Sequence, residues 1–119
     1  MDLVTGNAAR DGASFRGWFI GHFAPTDLAR SDDVEVKWGV HARDETRSTW
    51  ASNEEATTLS VLVQGRFRLQ FDGRECLLSQ PGDYALWAPG VAHRWQVEAD
   101  DTIVVTVRWP SRPGDAREH

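Results

Sequence analysis

Histidine is the side chain whose charge moves most easily across neutral pH, and this chain has four: His22, His41, His93 and His119. His119 belongs to a charged, proline-broken end. His22 sits in the aromatic run G-W-F-I-G-H-F, where a buried, hydrogen-bonded ring or an interface contact is the simpler role. His41 and His93 remain. In one pocket they make an acid and base pair, with Glu35 or Lys37 nearby to set their pKa values; apart, each is a structural hydrogen-bonder. Arg108 offers a guanidinium fork for a carboxylate or phosphate, or a solvent-facing charge. Lys37 is a second charge anchor, and Tyr84 a hydroxyl donor or a packing residue. Six tryptophans are many for 119 residues. Trp38, Trp50, Trp87 and Trp95 suit the walls of a site for a planar or sugar-like ligand, or the filling of a core or dimer interface. Cys76 has no C-x-x-C partner and reads as a buried inert thiol. The chain lacks a phosphate-cradling glycine loop, a nucleophile elbow and a dinucleotide fingerprint, which disfavours kinases, Ser-His-Asp hydrolases and nicotinamide enzymes.

The elements that must position these groups are strands. Phe15 to Phe23, Val34 to His41, Thr57 to Gln64, Arg66 to Phe71, Glu75 to Leu78, Tyr84 to Trp87, Ala92 to Val97 and Thr102 to Trp109 are short runs rich in β-branched and aromatic residues. Asp72-Gly73 is a favoured two-residue hairpin turn, and Pro81-Gly82-Asp83 and Pro89-Gly90 mark two more turns. Only Thr26 to Arg30 reads as helical, for a single turn. The pattern predicts an all-β sandwich or barrel over residues 15–109, with flexible tails at 1–14 and 110–119.

Two segments carry a family likeness. T-T-L-S-V-L-V-Q-G-R-F-R-L-Q-F-D-G (57–73) resembles the first motif of the small single-domain cupins, and G-D-Y-A-L-W-A-P-G-V-A-H-R-W (82–95) resembles their second. The resemblance implies a double-stranded β-helix, a jelly-roll barrel whose interior is the site. It also implies that His93 stands where the family's last metal-ligand histidine does. The family's first motif reads H-x-H, a glutamate, and a glycine seven residues on. Counting back from Gly65 puts Thr58 at the glutamate, no H-x-H occurs, and Ser52 and Glu54, or Trp50, fall where the histidines would be. The resemblance therefore implies a degenerate metal site. A divalent metal, if one binds, has His93, a rearranged His41 and a carboxylate such as Glu54 or Glu55 to hold it.

Alternation sorts the candidates by face. Taking His93 as inward sends Trp95 inward too, with Arg94 and Gln96 outward. Val34 to His41 has two readings: Val36, Trp38 and Val40 form the buried face, or Glu35, Lys37 and His41 line a polar pocket. Base rates favour the first. In the last strand Ile103, Val105, Val107 and Trp109 look more like core than Thr102, Val104, Thr106 and Arg108. Arg66, Arg68 and Gln70 read as an exposed face against Phe67, Leu69 and Phe71.

With 18 acidic and 13 basic residues the net charge is −5, and the single lysine and absence of a basic cluster argue against nucleic acid. One cysteine allows no internal disulfide. With no membrane-length apolar run and no signal-peptide pattern, a cytoplasmic protein that does not engage membranes is expected. The leading expectation is metal-independent acid and base chemistry on an organic metabolite, an elimination, isomerisation or cyclisation, with no cofactor. A non-catalytic ligand sensor or carrier and a divalent-metal-dependent oxygenase or isomerase are the alternatives. A homodimer is expected, because the aromatic first strand is a liability as an open edge.

Overall fold

Runs of β-branched and aromatic residues, broken every few positions by Gly, Pro and Asp, favour short strands over helices. The computed structural model describes residues 2–119. Its strands are β1 (Trp18–Ile20), β2 (Glu35–His41), β3 (Thr46–Asn53), β4 (Thr57–Gln64), β5 (Phe67–Phe71), β6 (Arg74–Leu78), β7 (Tyr84–Trp87), β8 (His93–Val97), β9 (Thr102–Trp109) and β10 (Ala116–Glu118). They form two five-stranded sheets, β1-β2-β9-β4-β7 and β10-β3-β8-β5-β6, with every pairing antiparallel. Successive strands such as β3 and β4 lie in different sheets, so the chain winds from one to the other as a double-stranded β-helix. Among the described residues no helix is long and apolar enough to cross a membrane.

The β5–β6 hairpin closes through Asp72-Gly73, with Phe71 opposite Arg74 and Gly73 at φ 69°. That positive φ is what the Asp-Gly pair predicts. Four local expectations are corrected. The first strand is only Trp18–Ile20, because its register against β2 shifts between Trp18 and Ile20. Thr26 to Arg30 forms a hydrogen-bonded turn, Arg30 N–H to Thr26 O at 2.9 Å, rather than a helix. The N-terminal stretch contains a short helix, Ala8–Asp11, capped by the Asn7 side chain. The stretch 110–119 is built in: β10 pairs with β3, Ser111 is fully buried, and the Asp115 carboxylate accepts from Asn53 Nδ2 and the Glu55 and Ala56 amides.

The apolar core gathers Leu62, Phe67, Leu69, Leu78, Val97 and Val104 with Trp87 between the sheets. Phe67, Leu69, Trp87 and Val104 from this cluster also face a cavity, so the core is its floor.

Candidate functional site

Between the sheets a cavity of about 440 Å³ remains. Lys37, Gly39 and His41 reach it from β2, and Val104, Thr106 and Arg108 from β9. This corrects the apolar-inward reading of both strands. Val36, Trp38 and Val40, with Ile103, Val105, Val107 and Trp109, take the opposite parity on the outer face, where Val40 and Trp109 are exposed. A polar cavity reverses the usual rule: the charged groups of β2 and β9 face the space between the sheets, and the apolar groups face outward. On β5 the apolar residues do point inward: Phe67 and Leu69 face the cavity and Arg66 is exposed.

His93 is buried in the cavity wall, with its ring against Trp87 at 4.9 Å between centroids. Its Nδ1 lies 3.3 Å from the Val91 carbonyl. A carbonyl only accepts, so Nδ1 carries the proton and Nε2 is the basic nitrogen. Burial lowers the His93 pKa to about 4, opposed by that hydrogen bond and assisted by the charges of Arg108 and Arg47. The ring is neutral at pH 7. His41 packs on Trp95 at 5.0 Å and Phe67 at 5.9 Å, and its Nδ1 donates to Glu45 Oε1 at 3.3 Å. Burial lowers its pKa against the pull of that hydrogen bond. The bare Cα of Gly39 makes room for this ring, since a Cβ there would stand 2.7 Å from His41 Nε2.

Positive charge dominates the wall. Arg16, Lys37, Arg47 and Arg108 face the cavity, against one carboxylate, Glu118, which pairs with Arg47 at 3.3 Å. Arg108 lies over the Trp18 ring at 4.7 Å, and its Nη1 is 3.8 Å from Glu35. Arg108 Nε and Thr58 Oγ1 are buried with no hydrogen-bond partner. A buried donor without a partner costs about 1–3 kcal/mol, so these two atoms mark where a ligand's polar groups would be welcome.

The expected site residues thus divide. His93, His41, Lys37, Trp87, Trp95 and Arg108 come together around one space. Glu35 lies in an adjoining hollow that shares Trp18 and Arg108 with the cavity. Trp38 has outward parity, Tyr84 is 63% exposed, and Trp50 lies outside the cavity beneath Arg94 at 4.4 Å, so none of these three walls the site. Residue type alone did not tell a pocket aromatic from a surface one. Trp18, Arg16, Arg47 and the β10 residues Ala116 and Glu118 face the cavity without having been singled out. The usable signal was for Trp18, an aromatic in the first predicted strand. Arg47 was hidden because T-R-S-T-W-A-S-N has no apolar alternation.

The donors do not suit a divalent cation. Among the described residues no three His, Cys, Asp or Glu side chains are placed to hold a metal ion together. Ala51 stands opposite His93 in the β3–β8 ladder, and Thr58 offers a hydroxyl where the cupin motif has a glutamate. The charges acting on His93 are the cations Arg108 and Arg47. A metal needs several anionic or neutral donors that converge, and this wall presents repulsion instead.

No family model matches the chain, and no curated protein matches it. Solved structures do. KdgF from a Halomonas species superposes with a TM-score of 0.63 at 22% identity, covering 69% of this chain and 73% of that one. A conserved Klebsiella pneumoniae protein with a double-stranded β-helix domain gives 0.64 at 18%, covering 74% and 76%. The fold is that of a small cupin. A cupin from Bacteroides fragilis agrees, with a TM-score of 0.57 at 17% identity over 69% of each chain. On that fold His93 occupies the position that the motif resemblance gives to the last histidine, and Thr58 the position it gives to the glutamate.

Proposed function

We propose that this cupin binds a small anionic organic metabolite in its barrel and catalyses metal-independent proton transfer on it, an elimination, isomerisation or cyclisation. The observation that carries the reading is Arg108, whose buried Nε has no partner, in a cavity that also holds the neutral imidazole of His93. Four cations gathered inside a chain of net charge −5 make the cavity the place where an anion is attracted. The guanidinium of Arg108 suits a carboxylate or phosphate edge.

His93 is the base in this reading. Its Nε2 lone pair is available at neutral pH, and the Val91 carbonyl holds the tautomer. His41, whose Nδ1–H is held by Glu45, is the second proton carrier: its Nε2 takes up a proton from the substrate and returns it in the later step. Trp87 and Trp95 give the substrate flat walls. The similarity to a solved DMSP lyase (TM-score 0.66 at 16% identity, covering 87% of this chain and 52% of that one) supports elimination as chemistry this fold can carry.

The test has two stages. Thermal-shift screening against hydroxy-carboxylates, oxo-carboxylates and phosphate monoesters at low and high salt finds ligands, and Arg108→Gln is expected to remove the shift. With a ligand that turns over, His93→Ala and His41→Ala each lower kcat by on the order of 100-fold or more while the circular dichroism spectrum stays native. Binding without turnover, unchanged in both histidine variants, would instead make the protein a sensor or carrier.

A further inference from the structure

Lys37 is the one lysine of the chain, and it faces the cavity. Among the described residues it takes part in no ion pair. Its Nζ lies 6.0 Å from the centroid of Trp18, the ring that also carries Arg108. In the β2–β9 register Lys37 stands opposite Thr106, whose hydroxyl is 3.0 Å from that of Ser60 on β4. Arg108 is two residues further along the same inward face. An amine so placed has an apolar ring beside it, hydroxyls across the ladder and a guanidinium next door, but no carboxylate within ion-pair distance.

We propose that Lys37 is a nucleophilic amine that forms a Schiff base with the carbonyl carbon of an anionic substrate, a 2-oxo acid or a carboxylate-bearing aldehyde, whose negative end Arg108 holds. The inference rests on the reading of the cavity as an anion site and names the substrate class within it. Burial, and then the charges of Arg108, Arg16 and Arg47, hold the Lys37 pKa down to about 8, with Glu45 opposing them. About a tenth of the amine is then neutral at pH 7, about 300-fold more than for a lysine at its ordinary value. Desolvation beside other cations is a recognised way to activate a lysine.

The step balances without an oxidant or reductant. The amine lone pair forms the C–N bond while the C=O π pair moves to oxygen, and a proton passes from nitrogen to that oxygen. A second proton on the resulting hydroxyl lets it leave as water, giving a protonated imine. Overall, ammonium and carbonyl become iminium and water. His93, neutral in the same cavity, is available to accept and return the transferred proton. The iminium then draws electrons from the adjacent carbon and acidifies its C–H, supplying the electron sink that metal-free proton transfer requires.

The experiment is reductive trapping of the full-length chain. The protein is incubated with pyruvate, or with propanal as the uncharged control, and reduced with cyanoborohydride; adducts are then located by peptide mass spectrometry. The α-amino group has an ordinary pKa close to 8 and serves as the internal reference. Pyruvate is expected to label Lys37 on the order of tenfold or more faster than the α-amine, with a half-maximal rate near pH 8, while propanal shows little preference. Lys37→Met is expected to abolish the adduct, and Arg108→Gln to remove the preference for pyruvate over propanal.

Tryptophan fluorescence, to which Trp18, Trp87 and Trp95 of the cavity wall contribute, separates the two ideas. Pyruvate that perturbs fluorescence but labels only the α-amine overturns the lysine's role and leaves the anion site standing. Rapid labelling of Lys37 with equal preference for propanal supports the amine and overturns the anion site. No perturbation and no adduct at Lys37 overturns both.

Discussion

His93 stays neutral because the cavity wall denies its charged form water, and Arg108 and Arg47 add repulsion. The folded ring titrates near pH 4 and the unfolded one near 6.5, so between those values the unfolded chain binds the extra proton. Stability therefore falls as pH drops from 6.5 to 4. The loss attributable to this one ring is about 3 kcal/mol, complete below pH 4 and absent above 6.5. Urea denaturation at pH 7 and at pH 4.5 measures it. Wild type is expected to lose more stability on acidification than His93→Gln, which has no ring to protonate; equal losses would show that His93 is not held neutral. At this scale residue type picked out two imidazoles and two cations that share a space: His93, His41, Lys37 and Arg108 all face the cavity. The sequence was uninformative for Trp38, Trp50 and Tyr84, because a large ring suits a pocket wall and a sheet's outer face equally well.

At the level of elements, strand existence was legible from alternation and turn chemistry, but the choice of face was not. An alternating strand declares two faces without saying which is inside, and β2 and β9 turn their charged faces toward an internal cavity. The elements left unread, β3 and β10, lack alternation; each is fixed by the strand it pairs with and by the residues flanking that pair. Asp115 is the clearest such anchor. Its carboxylate is the acceptor for the Asn53 amide and for the backbone amides of Glu55 and Ala56, tying the C-terminal stretch to the β3–β4 connection. Asp115→Ala leaves those donors without their partner and is expected to cost about 2–4 kcal/mol in urea-denaturation stability. Because Ala116 and Glu118 face the cavity, freeing this strand also opens the site. The variant should lose affinity for any cavity ligand while His93 and Lys37 remain in sequence. A variant with wild-type stability and affinity would show that the carboxylate holds nothing in place.

Across the whole molecule, the polar cavity has a counterpart in an apolar outer sheet. The registers align Val36, Val107, Leu59 and Leu86 in one cross-strand row and Trp38, Val105, Val61 and Tyr84 in the next, each row spanning β2, β9, β4 and β7. Leu86 is 55% exposed and Val40 56%, with Val63 and Trp109 also on the surface. A continuous apolar face of this kind is unusual on a monomer and suits a two-fold contact with a second copy, since each row can meet its own equivalent. The first strand's edge is a poorer candidate: β1 has three residues and a register shift, features that discourage further strand pairing. Light scattering at micromolar concentration is therefore expected to give twice the chain mass of 13.4 kDa. Leu86→Arg puts an unpaired charge into the middle of that contact and should yield a monomer with native circular dichroism. Substituting Phe15, beside the edge strand, should leave the dimer intact. Wild-type protein that scatters as a monomer at that concentration would mean this sheet face is not covered by a second copy.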